Sequence, residues 1–317
     1  MNPILLHEHN EFPDLIRIVA DKQLIDPVIV EKDYWMMHVL WGLQQQGFKF
    51  SLKGGTSLSK GHQIINRFSE DLDMLIEPLA EGGITVNQAS LKDNAVKSRK
   101  DFYDWLKDNL KIPGIIAVER DTEFDDERYY RSGGIRLQYQ TYTGSLEGVK
   151  DGILLEAGFS KVAPNQPITI SSWLYDFAKA NANIELIDNR AVDVPCYNPG
   201  YTLVEKIQAI IRNFRQEAAG GKKLKNYMRQ YYDLYSLLGT AQVQAFIGTL
   251  EYLQHKADWI KGADAEIPVN TNPAFLLTGE LMNDFEGRYK ATTALYFRGQ
   301  PPFSEVIARI RQYLPKL

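Results

Sequence analysis

A chain of 317 residues with 44% apolar and 24% charged content can bury a large core, and it has room for one large domain or two of ordinary size. Its formal net charge of -4 gives no support for nucleic-acid binding through bulk charge, although a local basic face is a separate quantity. The lone Cys196 excludes an intramolecular disulfide and a zinc–cysteine site. No run approaches the roughly 18–20 apolar residues of a membrane span, and the opening MNPILLHEHNEF has no signal-peptide pattern, so a cytoplasmic protein without a membrane partner is expected.

In chain order, Leu15–Ala20 reads as a short amphipathic helix. Asp26-Pro27 reads as an N-cap with proline at the first helical position, opening a helix to about Gln46. Along it Trp35, Met36, Val39, Leu40 and Leu43 recur at helical spacing. Gly47 ends that helix, and Phe48–Leu52 alternates as a strand into a glycine turn. A polar helical segment is expected over 85–110. Strand-like runs follow at Ile115–Arg120, Gly134–Tyr142 and Gly152–Phe159, the last two joined as a hairpin by the turn formers of TGSLEG. A strand at Ile168–Ile170 and a helix at Ser172–Lys179 come next. After the turn Tyr197-Asn198-Pro199-Gly200 the pattern becomes helical, over Thr202–Gln216, Leu224–Leu238, Ala241–His255 and Ser304–Leu314. The chain therefore divides into a mixed sheet domain with N-terminal helices, 1–197, and a helical C-terminal domain, 198–317.

The segment Lys53–Ile76, KGGTSLSKGHQIINRFSEDLDMLI, carries the chemistry. Gly54 and Gly55 allow close backbone approach to phosphates at a helix start, and Thr56 and Ser57 can supplement the N–H donors. Asp71 and Asp73 fall on one side of a strand because side chains alternate with period two, with Leu72 turned to the core. Two such carboxylates suit a hard divalent cation such as Mg²⁺ or Mn²⁺ beside a triphosphate. A glycine turn, a helix and an acidic strand in this order are what metal-dependent nucleotidyl transfer requires. Glu156 interrupts the apolar run GILLEAGF, where an unpaired buried acid is costly, and is the candidate third carboxylate, with Asp151 as the fallback. Lys60 and Arg67 can neutralise triphosphate charge, or can sit respectively in solvent and against Glu70.

These motifs resemble the polymerase-β-type nucleotidyltransferase superfamily, and more narrowly the AbiEii/AbiGii group of nucleotidyltransferase toxins. KGGTSLSK followed by RFSEDLD, the upstream EKDYW at Glu31–Trp35, TLVEKIQAI at Thr202–Ile210 and RQYYDLYSL at Arg229–Leu237 are close to that group's wording. The interval from the glycine turn to Asp71 is long for the superfamily but fits the narrower group. The resemblance implies an α/β fold, a twisted mixed sheet with flanking helices. It also implies a cation on Asp71, Asp73 and Glu156, the last helping to deprotonate the attacking hydroxyl.

The same resemblance places Lys206 on the triphosphate, where the plain alternative is a lysine snorkelling at the edge of an apolar helix face. It gives Asp233 a site role, with orienting Lys206 as one form of it and an ion pair with Arg229 as the bland one. Lys32 and Asp33 are expected to support the site from behind, and Tyr34 and Trp35 to be core. An NTP substrate, an RNA acceptor such as the tRNA 3′ end, and a co-encoded antitoxin are further implications. Transfer to a small molecule or protein, and a non-catalytic nucleotide-binding module, are the competing readings. Arg212, Arg215, Lys222, Lys223, Lys225 and Arg229, with Tyr227, Tyr231 and Tyr232 interleaved, are read either as an RNA-contacting face or as a solvated helical face. His7 and His9 mimic a metal pair without further ligands, and no chemistry is assigned to them.

Overall fold

The structure, a computed structural model, describes residues 3–78, 87, 89–160, 162–181, 185–224 and 227–317. The start of the expected 85–110 helix lies partly outside this set, and so does Lys225. The chain forms two units: Met1–Gly61 with Phe68–Tyr197, and His62–Arg67 with Asn198–Leu317. The assignment of residues 62–67 to the second unit has no counterpart in the sequence pattern.

The first unit is built on a sheet of seven strands among the described residues: β1 (Phe50–Leu52), β2 (Asp71–Ile76), β3 (Ile115–Asp121), β4 (Ser132–Tyr139), β5 (Ile153–Gly158), β6 (Asn165–Ile170) and β7 (Ala191–Tyr197). Their order, β3-β4-β5-β2-β1-β7-β6, puts the two acid-bearing strands β2 and β5 side by side and parallel. The fold is thus α/β with a mixed sheet. β4 and β5 pair antiparallel, as the hairpin reading requires. β7 is absent from the sequence reading for a physical reason. It lies between β1 and β6 yet carries Pro195, directly opposite Pro167, and proline cannot donate to a ladder.

Helices α1 (Phe12–Gln23), α2 (Pro27–Gln45), α3 (Gly54–Thr56), α4 (Asp93–Asn109) and α5 (Trp173–Asn181) complete the unit. The Asp26 carboxylate caps α2 by accepting from the Val28 amide at 2.9 Å, with Pro27 at the first position. α2 is buried almost all round, so its charged residues Glu31, Lys32 and Asp33 lie inside the protein. Glu31 accepts from the amides of Tyr142 and Thr143 at 2.9 and 3.1 Å, tying that loop to the helix. His7 packs on Trp35 and His38, and burial pushes both imidazoles down to about 4, which makes both neutral, His38 in the core and His7 half-buried beside it.

The second unit contains α6 (Pro199–Ala218), α7 (Arg229–Leu238), α8 (Ala241–Phe246), α9 (Leu250–Trp259), α10 (Gly279–Lys290) and α11 (Phe303–Tyr313). The expected turn at 197–200 is a helix start: Asn198 accepts from the Gly200 amide at 2.8 Å, with Pro199 at the first position. The expected helix over 241–255 is two helices. Gly248, at φ +87°, breaks it, and Thr249 caps the second piece through the Tyr252 amide. α10 is not legible from the sequence pattern. The basic–aromatic face also needs correcting. Tyr227, Tyr231 and Tyr232 are buried, so their rings present no stacking surface. Two of the cations are neutralised, Arg215 by Asp264 at 2.9 Å and Lys223 by Asp284 at 3.0 Å.

Residues 62–67 belong here through specific bonds. The Asn66 amide donates to the Tyr232 hydroxyl at 3.0 Å, and the Phe297 amide donates to the Asn66 carbonyl at 3.1 Å.

Candidate active site

β2 alternates strictly. Leu72, Met74 and Ile76 are fully buried while Asp71 and Asp73 remain partly accessible on the opposite face. On β5 the register pairs Asp73 with Glu156 and Asp71 with Leu154. Residues in register share a face, about 4.8 Å apart between strands, so Glu156 stands beside Asp73. Burial first, and then the neighbouring Asp73 carboxylate, push Glu156 up to about 8, against the pull of Lys53. Three acids therefore cluster on one sheet face, two of them directly adjacent.

The glycine turn is locked onto this strand. The Lys53 amide donates to the Asp73 carbonyl at 2.9 Å, and the Thr56 hydroxyl donates to the Asp71 carbonyl at 2.6 Å. Gly54 has φ +68°, and a Cβ on it would overlap Asp73 Oδ2. Glycine is required twice there, by conformation and by space. Gly54→Ala is expected to displace the Asp73 carboxylate and to destabilise the fold by about 1 kcal/mol or more. Transfer rate and melting temperature, measured together, should both fall.

Several side chains assigned to the nucleotide are placed otherwise. Thr56 is buried and its hydroxyl is committed to Asp71. Ser57 is fully buried with its hydroxyl beside the Cys196 thiol, which burial pushes up to about 11. With both side chains buried, Gly54, Gly55 and the backbone amides are what the turn has left to offer a phosphate. Lys60 pairs with the buried Asp33 at 2.9 Å and lies 4.5 Å from the centre of the Trp173 ring, so its charge is already engaged.

Arg67 is bound by the Asp233 carboxylate of its own unit, Nε at 2.7 Å and Nη2 at 2.6 Å. Lys206 Nζ stands 2.9 Å from the same carboxylate and donates to Gln230 Oε1 at 2.9 Å. Burial alone would raise the Asp233 pKa. Arg67 and Lys206 outweigh it and hold the group at about 2. Arg67, Lys206 and Asp233 thus form one ionic triad in the helical unit, a buried Arg67–Asp233 pair with the half-buried Lys206 beside it.

Lys32 is the residue whose place is least apparent from the sequence. Its ammonium is buried, donates to the Lys150 carbonyl, and is pushed down to about 8 by burial despite the attraction of Glu70, Asp71 and Asp151. Lys32 thus sets a buried positive charge within electrostatic reach of Asp71. The signal available was a run of charges, EKD, on an otherwise apolar helix.

The donor set on the sheet face is all oxygen, which suits Mg²⁺ or Mn²⁺, and the like-charge strain on Glu156 is what a cation relieves. Among the described residues, no three carboxylate, imidazole or thiol groups already stand in coordinating geometry. The acids would fit such an ion after their side chains turn toward it and Glu156 loses its proton.

A search of curated protein sequences returns no significant match. One similar solved structure is the crystal structure of an antigenic nucleotidyltransferase-like protein from Paracoccidioides brasiliensis. It is 15% identical, with 73% of this chain and 88% of that chain covered and a TM-score of 0.38, a likeness too distant to carry an argument. The family model for AbiEii, the nucleotidyl transferase toxin of type IV toxin–antitoxin systems, matches residues 39–312, a span that holds the glycine turn, Asp71, Asp73, Glu156, Lys206 and Asp233. The chain accordingly belongs to the AbiEii nucleotidyl transferase toxin family and is a nucleotidyltransferase.

Proposed function

We propose that the chain moves an NMP from an NTP to a hydroxyl of an RNA acceptor, with the tRNA 3′ end as the leading candidate, in a reaction that depends on a divalent cation, Mg²⁺ foremost. The observation that carries this reading is the pairing of Asp73 with Glu156 on adjacent strands, with Asp71 on the same face. In the reaction the acceptor oxygen bonds to the α-phosphorus and the bond to the β-phosphate breaks, releasing pyrophosphate. Asp71, Asp73 and Glu156 would hold the cation, which would supply charge neutralisation on the phosphates. Glu156, deprotonated when the cation binds, receives the hydroxyl proton. Gly54 and the amides that follow it hold phosphate oxygens at the start of the helical turn. Lys206 is the candidate phosphate cation of the helical unit, held in place by Asp233. The family's membership of type IV toxin–antitoxin systems implies an antitoxin partner.

The test is a transfer assay with purified protein, Mg²⁺, total tRNA and each α-³²P-labelled NTP in turn. Label is expected on tRNA with a preferred NTP, and none after chelation of the cation. Label on a protein or small molecule instead, with none on any RNA, would overturn the acceptor. Undiminished transfer in chelator would overturn the cation.

A further inference from the structure

The helical unit carries a groove of about 760 Å³, within the range of small-ligand sites. Its walls come from the 62–66 segment, α7, the 298–301 loop and α11. Its charged lining is cationic, with Arg298 and Arg309, and no carboxylate lines it among the described residues. The acid in contact with this wall, Glu305, accepts from the Tyr235 hydroxyl.

Elsewhere in this unit Arg67, Arg215 and Arg288 each pair with a carboxylate. Neither Arg298 nor Arg309 has an ion-pair partner among the described residues. Arg298 is exposed. The Arg309 guanidinium lies 3.7 Å from the centre of the Tyr235 ring and donates one N–H to the Tyr235 carbonyl at 3.3 Å. The ring covers one side of it, and the half-buried residue lines the groove.

A fixed guanidinium plane is a platform on which a nucleobase stacks, and an arginine without a carboxylate is a ready phosphate ligand. Two rim residues are held at positive φ, Gly299 at +82° and Gln63 at +54°. For Gln63 this is a costly conformation of the kind that collects at binding sites. Asn66 and Ser236 add neutral polar side chains to the lining.

We propose that this groove holds a nucleotide unit of single-stranded RNA, with the base on the Arg309–Tyr235 stack and phosphate at Arg298. The inference deepens the RNA-acceptor reading above and rests on it. The groove would give the helical unit a hold on the acceptor strand.

The experiment is fluorescence anisotropy in the absence of NTP, using the full chain and a labelled single-stranded RNA roughly eight nucleotides long. Arg298→Glu and Arg309→Gln, singly and together, are compared with the wild type. The expected result is a rise in Kd of about tenfold or more for the pair. The slope of log K against log salt should shrink by about 0.7 for each arginine whose phosphate contact is lost. Arg298 is exposed, so the single variant should melt as the wild type does, and its weaker binding then cannot come from misfolding.

Unchanged Kd and salt slope in the pair would overturn the groove. AMP or inorganic phosphate competing as tightly as the RNA would also overturn it, in favour of a free-anion site. The two readings fail separately. Label transferred to tRNA with unchanged KM in the groove variants overturns the groove alone. No label on any RNA, with binding still dependent on both arginines, overturns the acceptor alone.

Discussion

Asp73→Asn is expected to lower kcat by on the order of 10³-fold or more, the scale on which removal of a group that stabilises reacting charge is felt. The same variant is expected to melt at the wild-type temperature or above it. Both halves follow from one arrangement. Asp73 is in register with Glu156, and Glu156 is pushed up by burial and by the Asp73 charge. Without a cation these acids repel in a partly dry setting, so removing one charge relieves the fold while removing a ligand from the site. Thermal melts in chelator, alongside labelled-NTP transfer in Mg²⁺, check the pair of outcomes. A variant that loses activity and also melts well below the wild type would mean that Asp73 is a structural acid, and the assignment of the sheet face as the catalytic centre would fall.

Asp233→Leu is expected to destabilise the helical unit by about 3–5 kcal/mol, because it leaves Arg67 buried, and Lys206 half-buried, without a counter-charge. At this scale the melting temperature drops by roughly 10 °C. Replacing the triad together, Arg67→Met, Lys206→Met and Asp233→Leu, should recover much of the loss, since apolar groups of similar volume carry no desolvation cost. The pH dependence has a definite sign. Asp233 is held at about 2, below its ordinary 3.8. Its contribution to stability is therefore complete above about 4 and fades as pH falls through about 2. Wild-type melting should decline across that window, and Asp233→Asn should show a shallower decline from a lower starting point. Equal slopes in the two proteins would show that the triad does not govern the acid limb.

Local chemistry was readable in the sequence and long-range pairing was not. Asp26-Pro27 announces the start of α2 because capping is decided within three residues. The D-x-D alternation on β2 likewise follows from the period of a strand. That Glu156 lies next to Asp73 depends on the strand order β5-β2, which spacing alone does not contain. Arg67 and Asp233 are 166 residues apart, so their pairing is invisible to any window. Thr56 and Ser57 were the right residue types for a phosphate turn. Their side chains turn inward because the short helical turn rotates both hydroxyls away from the open side, one onto the Asp71 carbonyl and the other onto Cys196. β7 was hidden by Pro195, and the tyrosines of α7 looked like a surface because tyrosine suits a core and a wet face equally.

The division of the chain has a consequence for how it is made. Residues 62–67 leave the ribosome early, yet the unit they join is completed only by Asn198–Leu317. Arg67 must wait, as a cation without its carboxylate, until α7 has been synthesised. Every residue of the sheet unit is synthesised before α7. A fragment beginning at Asn198 would carry Asp233 without Arg67 and lack the Asn66 bonds to Tyr232 and Phe297. A cut at the apparent boundary is therefore expected to leave a less stable helical piece, short of these bonds. The helical half becomes a finished object only with six residues borrowed from upstream.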